Sequence, residues 1–155
     1  MLLAEKVAKS LIEKKKTLSL AESCTGGLLT HRLTNIPGSS QFLECSIVAY
    51  SNASKRKLLK IPLKCIKKYG AVSKETATLM AQNVQKIFKT DFGISITGIA
   101  GPGGATKTKP VGLCFIALAT AKHTRCLQCH FKGNRLQIKS KAVTEALKLL
   151  TILLT

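Results

Sequence analysis

The stretch Ala21-Glu22-Ser23-Cys24-Thr25-Gly26-Gly27 sits where an apolar strand should end and a helix should begin. Thr17 to Ala21 alternates and is bounded by the Lys14 to Lys16 run, which predicts a short strand. Leu28, Leu29, Leu33 and Ile36 then recur at helical spacing until Pro37-Gly38 stops them. Ser23 is thereby placed at a strand-to-helix turn, where the first helix amides lack internal partners and the dipole is positive. A hydroxyl, an oxyanion or a phosphate is welcome there. Gly26 and Gly27 let another group approach the backbone closely. The plainer reading of the same residues is a helix N-cap at Ser23 or Thr25, with glycines for tight packing.

Working outward, 155 residues with 45% hydrophobic content suit one domain spanning 1–155. Glu5, Lys6, Lys9 and Glu13 interrupt Leu2, Leu3, Val7, Leu11 and Ile12 at the spacing of an amphipathic helix, so no signal peptide is read at the start. The Leu149 to Leu154 run is too short to span a bilayer. A soluble, cytoplasmic protein with no membrane partner is expected. There are 25 Lys plus Arg against 7 Asp plus Glu. A polyanion partner would call for a basic stripe, but the cations are spread from Lys6 to Lys148 and aromatics are only 5%. Nucleic acid is therefore not the expected partner. Asp91 is the only Asp, and no two carboxylates are close in sequence. Paired-carboxylate hydrolysis and a carboxylate-held metal are both disfavoured. The six cysteines read as free thiols in a reducing compartment. Cys126-Leu127-Gln128-Cys129-His130 fits a haem-attachment pattern, yet Thr124 to Phe131 reads as a strand. A strand sends Cys126 and Cys129 to opposite faces, so no metal or cofactor is expected.

In chain order the pattern predicts a helix over Leu2 to Lys16, the strand Thr17 to Ala21 and a helix from Gly26 to about Thr34. A strand from Phe42 to Tyr50 follows, then a helix over Ala53 to Leu59 that Ser51-Asn52 caps. A basic connector leads to Gly70-Ala71-Val72, and Ser73 opens a long helix through Phe88. Its buried side is expected to carry Ala77, Met80, Ala81, Val84, Ile87 and Phe88. Phe92 to Thr97 is nearly continuous in apolar residues, the mark of a central strand with helices on both faces. Val111 to Thr120 and Thr124 to Phe131 read as adjacent strands, and Asn134 to Leu154 as the closing helix. The class is α/β: a three-layer α/β/α sandwich with a mixed, mostly parallel sheet of about five strands. Ligands bind such sheets beyond the carboxyl ends of the strands, where Ser23, Tyr50 and Thr97 would lie.

The loop Thr97-Gly98-Ile99-Ala100-Gly101-Pro102-Gly103-Gly104 fails as a nucleotide motif on specific residues. Counted from Gly98 as a P-loop, the Lys and Ser/Thr positions hold Gly104 and Ala105. Counted from Gly101 as a dinucleotide fingerprint, the third glycine is Thr106 and a strand comes next. What the loop offers is free amides and a hydroxyl at a strand's end, suited to a phosphate, a ribose or an amide, or simply a structural turn.

Together with Val48-Ala49-Tyr50-Ser51-Asn52 and Lys55, Gly70-Ala71-Val72-Ser73, Lys109-Pro110-Val111-Gly112 and Gly133-Asn134-Arg135, these segments resemble the C-terminal domain of the CinA (competence/damage-inducible) family. They span nearly the whole chain in order. The resemblance implies a stand-alone nicotinamide-nucleotide amidase, acting without the larger N-terminal domain of two-domain relatives, and a homo-oligomer. Its substrate would be nicotinamide mononucleotide, converted with water to nicotinate mononucleotide and ammonia. The chain departs from the family at Cys45-Ser46, commonly Gly-Gly, and at Gly133-Asn134-Arg135, commonly Gly-Asp-Arg. The second change removes a carboxylate that could orient Arg135.

Amide hydrolysis needs a nucleophile, a base, oxyanion donors and an acid for the departing ammonia. His31, His123 and His130 lie away from the motifs and Asp91 precedes a strand, which leaves a Ser/Lys arrangement. Ser23 is assigned as nucleophile, Lys55 as its base and Tyr50 as a proton relay or orienting group. A lysine base must be desolvated or sit beside other cations. Amides after Ser23, among them those of Gly26 and Gly27, with Thr97, Gly98 and Gly101, are candidates for holding the carboxamide. Arg135 is assigned to the substrate phosphate. Glu22 either orients Thr25 or the ribose, or binds helix amides, and Cys24 is an alternative nucleophile. The rival readings are a basic nucleic-acid-binding domain, and a family member that binds nucleotide without turnover.

Overall fold

The computed structural model covers residues 1–155. Five strands form one sheet: β1 Leu18–Glu22, β2 Leu43–Val48, β3 Phe92–Gly98, β4 Leu113–Ala119 and β5 Thr124–His130, in the order β2-β1-β3-β4-β5. β1 pairs in parallel with β2 and β3, while β4 runs antiparallel to both β3 and β5. Four of the five strands therefore point one way and only β4 opposes them, so the sheet is mixed and mostly parallel. β3 holds the centre, as its apolar run predicts.

Six helices cover the sheet: α1 Leu3–Glu13, α2 Leu28–Thr34, α3 Asn52–Leu59, α4 Leu63–Tyr69, α5 Lys74–Phe88 and α6 Arg135–Leu154. Alternation along β3 separates the two faces. Phe92, Ile94 and Ile96 join Leu11, Leu29, Leu33, Val143 and Leu147 of α1, α2 and α6 in the larger core. Ala21 of β1 packs beneath α3, α4 and α5, whose Leu59, Cys65, Ile66, Met80 and Val84 bury together. On that side Gly93 is needed for close approach: a Cβ there would lie 2.3 Å from the Ala81 carbonyl oxygen and 2.6 Å from Gln85 Cβ. The Ser95 hydroxyl donates to the Ala77 carbonyl at 2.6 Å, tying the same strand to α5.

Two expectations are corrected. The connector before Gly70 contains a helix, α4, because Cys65 and Ile66 dock onto α5 while its lysines stay in solvent. Ile87 is exposed: three helical steps past Val84 rotate it about 60° off the buried line, whereas Phe88 remains partly buried. Cys126 and Cys129 do face opposite sides, the first packing with Ala77 and Ala81 and the second with the α6 core. No helix is long and apolar enough to cross a membrane.

Candidate active site

A pocket of about 230 Å³ opens beyond the carboxyl ends of β1 and β3. Ser23, Tyr50, Lys55, Thr97, Gly98, Gly101 and Arg135 all line it. Ser23 follows β1 directly, and its amide donates to the Ile96 carbonyl at 2.9 Å, which extends the β1–β3 ladder by one residue. The strand pairing thus fixes where the Ser23 hydroxyl sits.

Lys55 is the fourth residue of α3, a helix capped by Ser51, whose side chain accepts from the Ser54 amide. The cap sets the helix rotation that turns Lys55 inward, where it is 1% exposed. Its Nζ lies 2.8 Å from Ser23 Oγ, 2.8 Å from the Ala49 carbonyl oxygen and 3.2 Å from the Tyr50 carbonyl oxygen. No carboxylate pairs with it. Desolvation lowers its pKa to about 8, against the opposing effect of Cys24 nearby. The two carbonyls can only accept, so they take two N–H groups. The remaining tetrahedral position faces Ser23 Oγ. In the ammonium form it carries a proton toward the hydroxyl; in the neutral amine it carries the lone pair. This is the geometry of a proton exchanged between lysine and serine.

Tyr50 contributes its carbonyl to that arrangement and its ring to the rim, where it is 59% exposed. Its hydroxyl accepts from an Arg135 terminal nitrogen at 3.0 Å and makes no hydrogen bond to Ser23 or Lys55. Of the two roles read for Tyr50, orientation through the carbonyl fits this geometry and a hydroxyl relay does not. The other terminal nitrogen of Arg135 donates to the Gly101 carbonyl at 2.7 Å. Asn134 caps α6 by accepting from the Gln137 amide. Arg135 is therefore oriented by a tyrosine and the glycine loop, without a neighbouring carboxylate. The Thr97 hydroxyl donates to the Ala71 carbonyl at 2.9 Å, which pins the β3 end to the segment before α5. At Gly101 (φ +78°) a Cβ would meet Val111 Cγ1 at 2.5 Å.

Glu22, Thr25, Gly26 and Gly27 stand outside the pocket lining. The Glu22 carboxylate is fully buried and accepts from five donors: the Thr25 and Thr30 hydroxyls and the amides of Gly27, Leu29 and Thr30. Of the alternatives read for Glu22, binding helix amides is the one observed, with Thr25 held alongside. Glu22 occupies the α2 N-terminus, so neither Ser23 nor Thr25 acts as the N-cap. Gly26 and Gly27, at φ +60° and +97°, delay the helix to Leu28. The amides of Cys24 and Thr25 donate to no other residue, and of the two only Cys24 lines the pocket beside Ser23. Cys24 itself lines the pocket with no histidine near it. Asn52, Ala71 and Val72 also line the pocket and were not among the residues expected there. In the sequence Asn52 belongs to a helix cap and to the Val48-to-Asn52 segment of the family resemblance, and its place at a strand-to-helix turn is the signal that points to the pocket.

Residues 2–154 match the family model described as the CinA C-terminal domain. A CinA-like protein of Syntrophus aciditrophicus is 50% identical over 145 residues, covering 93% of this chain and 34% of that protein. A CinA-like protein of Endomicrobium trichonymphae is 48% identical over 148 residues, covering 96% of this chain and 35% of that protein. The chain thus spans about a third of the length of these relatives. Among solved structures, the competence/damage inducible protein CihA from Agrobacterium tumefaciens superposes with a TM-score of 0.93 at 34% identity, covering 100% of this chain and 98% of that one. The competence-damaged protein (CinA) superfamily protein from Enterobacter cloacae gives 0.94 at 31% identity, covering 99% and 90%.

Proposed function

The chain belongs to the CinA C-terminal domain family, and on that premise we propose that it is a nicotinamide-nucleotide amidase, hydrolysing the carboxamide of nicotinamide mononucleotide to nicotinate mononucleotide and ammonia. The observation that carries this reading is the buried Lys55 Nζ held 2.8 Å from Ser23 Oγ by two backbone carbonyls.

In the proposed reaction the neutral Lys55 amine takes the Ser23 hydroxyl proton as Oγ attacks the carboxamide carbon. Negative charge moves to the carboxamide oxygen, for which the Cys24 amide, in the pocket lining beside Ser23, is the available donor. The C–N bond breaks, and Lys55 returns its proton to the leaving nitrogen, which departs as ammonia. Water then attacks the acyl-serine, Lys55 again accepts a proton, and the C–Oγ bond breaks to restore Ser23 and release the carboxylate. Arg135, already fixed at the rim by Gly101 and Tyr50, is assigned to the phosphate. The test is ammonia release from nicotinamide mononucleotide after chelator treatment. Release that survives the chelator and is lost in both Ser23→Ala and Lys55→Ala supports the proposal; a folded wild type that releases none across neutral to alkaline pH overturns it.

A further inference from the structure

The amidase reading leaves the strong positive charge unused, and the fold gathers much of it in one place. Helices α3 and α4 follow each other and bury Leu59, Ile61, Cys65 and Ile66 beneath them with α5. Their other side faces solvent. Between residues 56 and 74 there are seven cations and no carboxylate, and every one of the seven is exposed. The ion pairs of the protein involve Lys9, Lys16 and Lys148, so none neutralises this face. Along the sequence these cations form separate clusters at Lys55 to Lys57 and Lys64 to Lys68. In the structure they share one layer, and only Lys55 turns inward.

The face has a shaped centre. A groove of about 690 Å³ runs between α4 and α5 and is lined by Lys64, Lys68, Tyr69 and Lys74, with Glu75 as its one acid. Lys109 reaches across to donate to the Tyr69 carbonyl at 2.6 Å, bringing another cation to its edge. The α4 C-terminus favours Lys67 and Lys68 only weakly at an exposed site, and like charges at this spacing repel one another. An anion relieves that repulsion.

We propose that the outer face of α3 and α4, with the α4–α5 groove, docks the phosphodiester backbone of nucleic acid without reading its sequence. Each phosphate that a lysine neutralises releases a counterion condensed on the nucleic acid, and that release supplies the binding free energy. An anionic membrane is a poorer match, because insertion needs a continuous apolar stripe. Here Leu58, Leu63 and Tyr69 are each less than half exposed and stand among lysines. Apart from Lys55, no cation of α3 or α4 lines the amidase pocket, so the two activities are separable.

The test is binding of a labelled random-sequence DNA duplex, titrated between about 50 and 200 mM salt. Wild type is compared with Lys64→Gln/Lys67→Gln/Lys68→Gln and with Lys14→Gln/Lys86→Gln/Lys122→Gln, which removes the same charge elsewhere. Thermal melting and ammonia release confirm that both variants are folded. The proposal expects the first variant to bind roughly tenfold or more weakly, with a salt slope reduced by about 0.9 for each phosphate no longer neutralised. The second variant stays within about twofold of wild type. Equal weakening in the two variants, no binding at low salt, or stronger binding to phosphatidylserine vesicles through the same lysines would each overturn it.

Discussion

Lys55 Nζ and Ser23 Oγ lie 2.8 Å apart, with the lysine's other near partners being the Ala49 and Tyr50 carbonyl oxygens. Neither neighbour can neutralise an ammonium, so burial sets the proton affinity of Lys55 and the carbonyls set its direction.

Activity should therefore follow the neutral amine. With a pKa of about 8 for Lys55, kcat/KM is expected to rise about tenfold per pH unit below that value and to level above it. Stopped assays of ammonia from pH 6 to 10 check this. A profile flat through the neutral range would remove Lys55 as the base.

The same shift has a stability consequence. Lys55 titrates near 10.5 when unfolded and near 8 when folded, so between these values the unfolded chain binds the extra proton and stability rises with pH. Below pH 8 the buried ammonium costs about 3 kcal/mol relative to high pH. Denaturant unfolding of wild type and Lys55→Met should show their difference moving toward wild type by roughly that amount between pH 7 and 10.5. A pH-independent difference would contradict the assigned desolvation.

Glu22 is a structural anchor. Glu22→Gln keeps the shape but turns an NH₂ group toward hydroxyl and amide donors. It should lower stability by about 2–4 kcal/mol, measured by denaturant midpoint. Loss of activity with unchanged stability would instead place Glu22 at the substrate.

At the rim, the Tyr50 hydroxyl rests on Arg135 rather than on Ser23 or Lys55. Tyr50→Phe is expected to change kcat less than about tenfold. Arg135→Gln should raise KM for the mononucleotide by about tenfold or more while sparing the riboside, which lacks the phosphate. A large kcat loss in Tyr50→Phe would restore the hydroxyl as a proton relay.

The architecture was legible where side chains follow one period. β3 shows its central place because Phe92, Ile94 and Ile96 face one helical layer while Gly93, Ser95 and Thr97 bury against the other. Helix α4 was hidden, since seven residues with two buried side chains do not make a period. In the pocket, Ser23, Lys55 and the glycine loop were found through strand ends and the family resemblance. Choosing between the alternatives for Glu22 needs the structure: binding the helix amides depends on Gly26 and Gly27 both taking positive φ and moving the helix start to Leu28. The place of the Tyr50 hydroxyl depends on Arg135, 85 residues away in sequence and held beside it by the Gly101 carbonyl.

The proposed reaction passes through a covalent bond at Ser23. Acid-quenched reaction with nicotinamide mononucleotide, digested and analysed by mass spectrometry, reads it directly. An adduct of substrate less ammonia is expected on the peptide carrying Ser23, absent in Ser23→Ala along with turnover. Ammonia release by Ser23→Ala at the wild-type rate would contradict it.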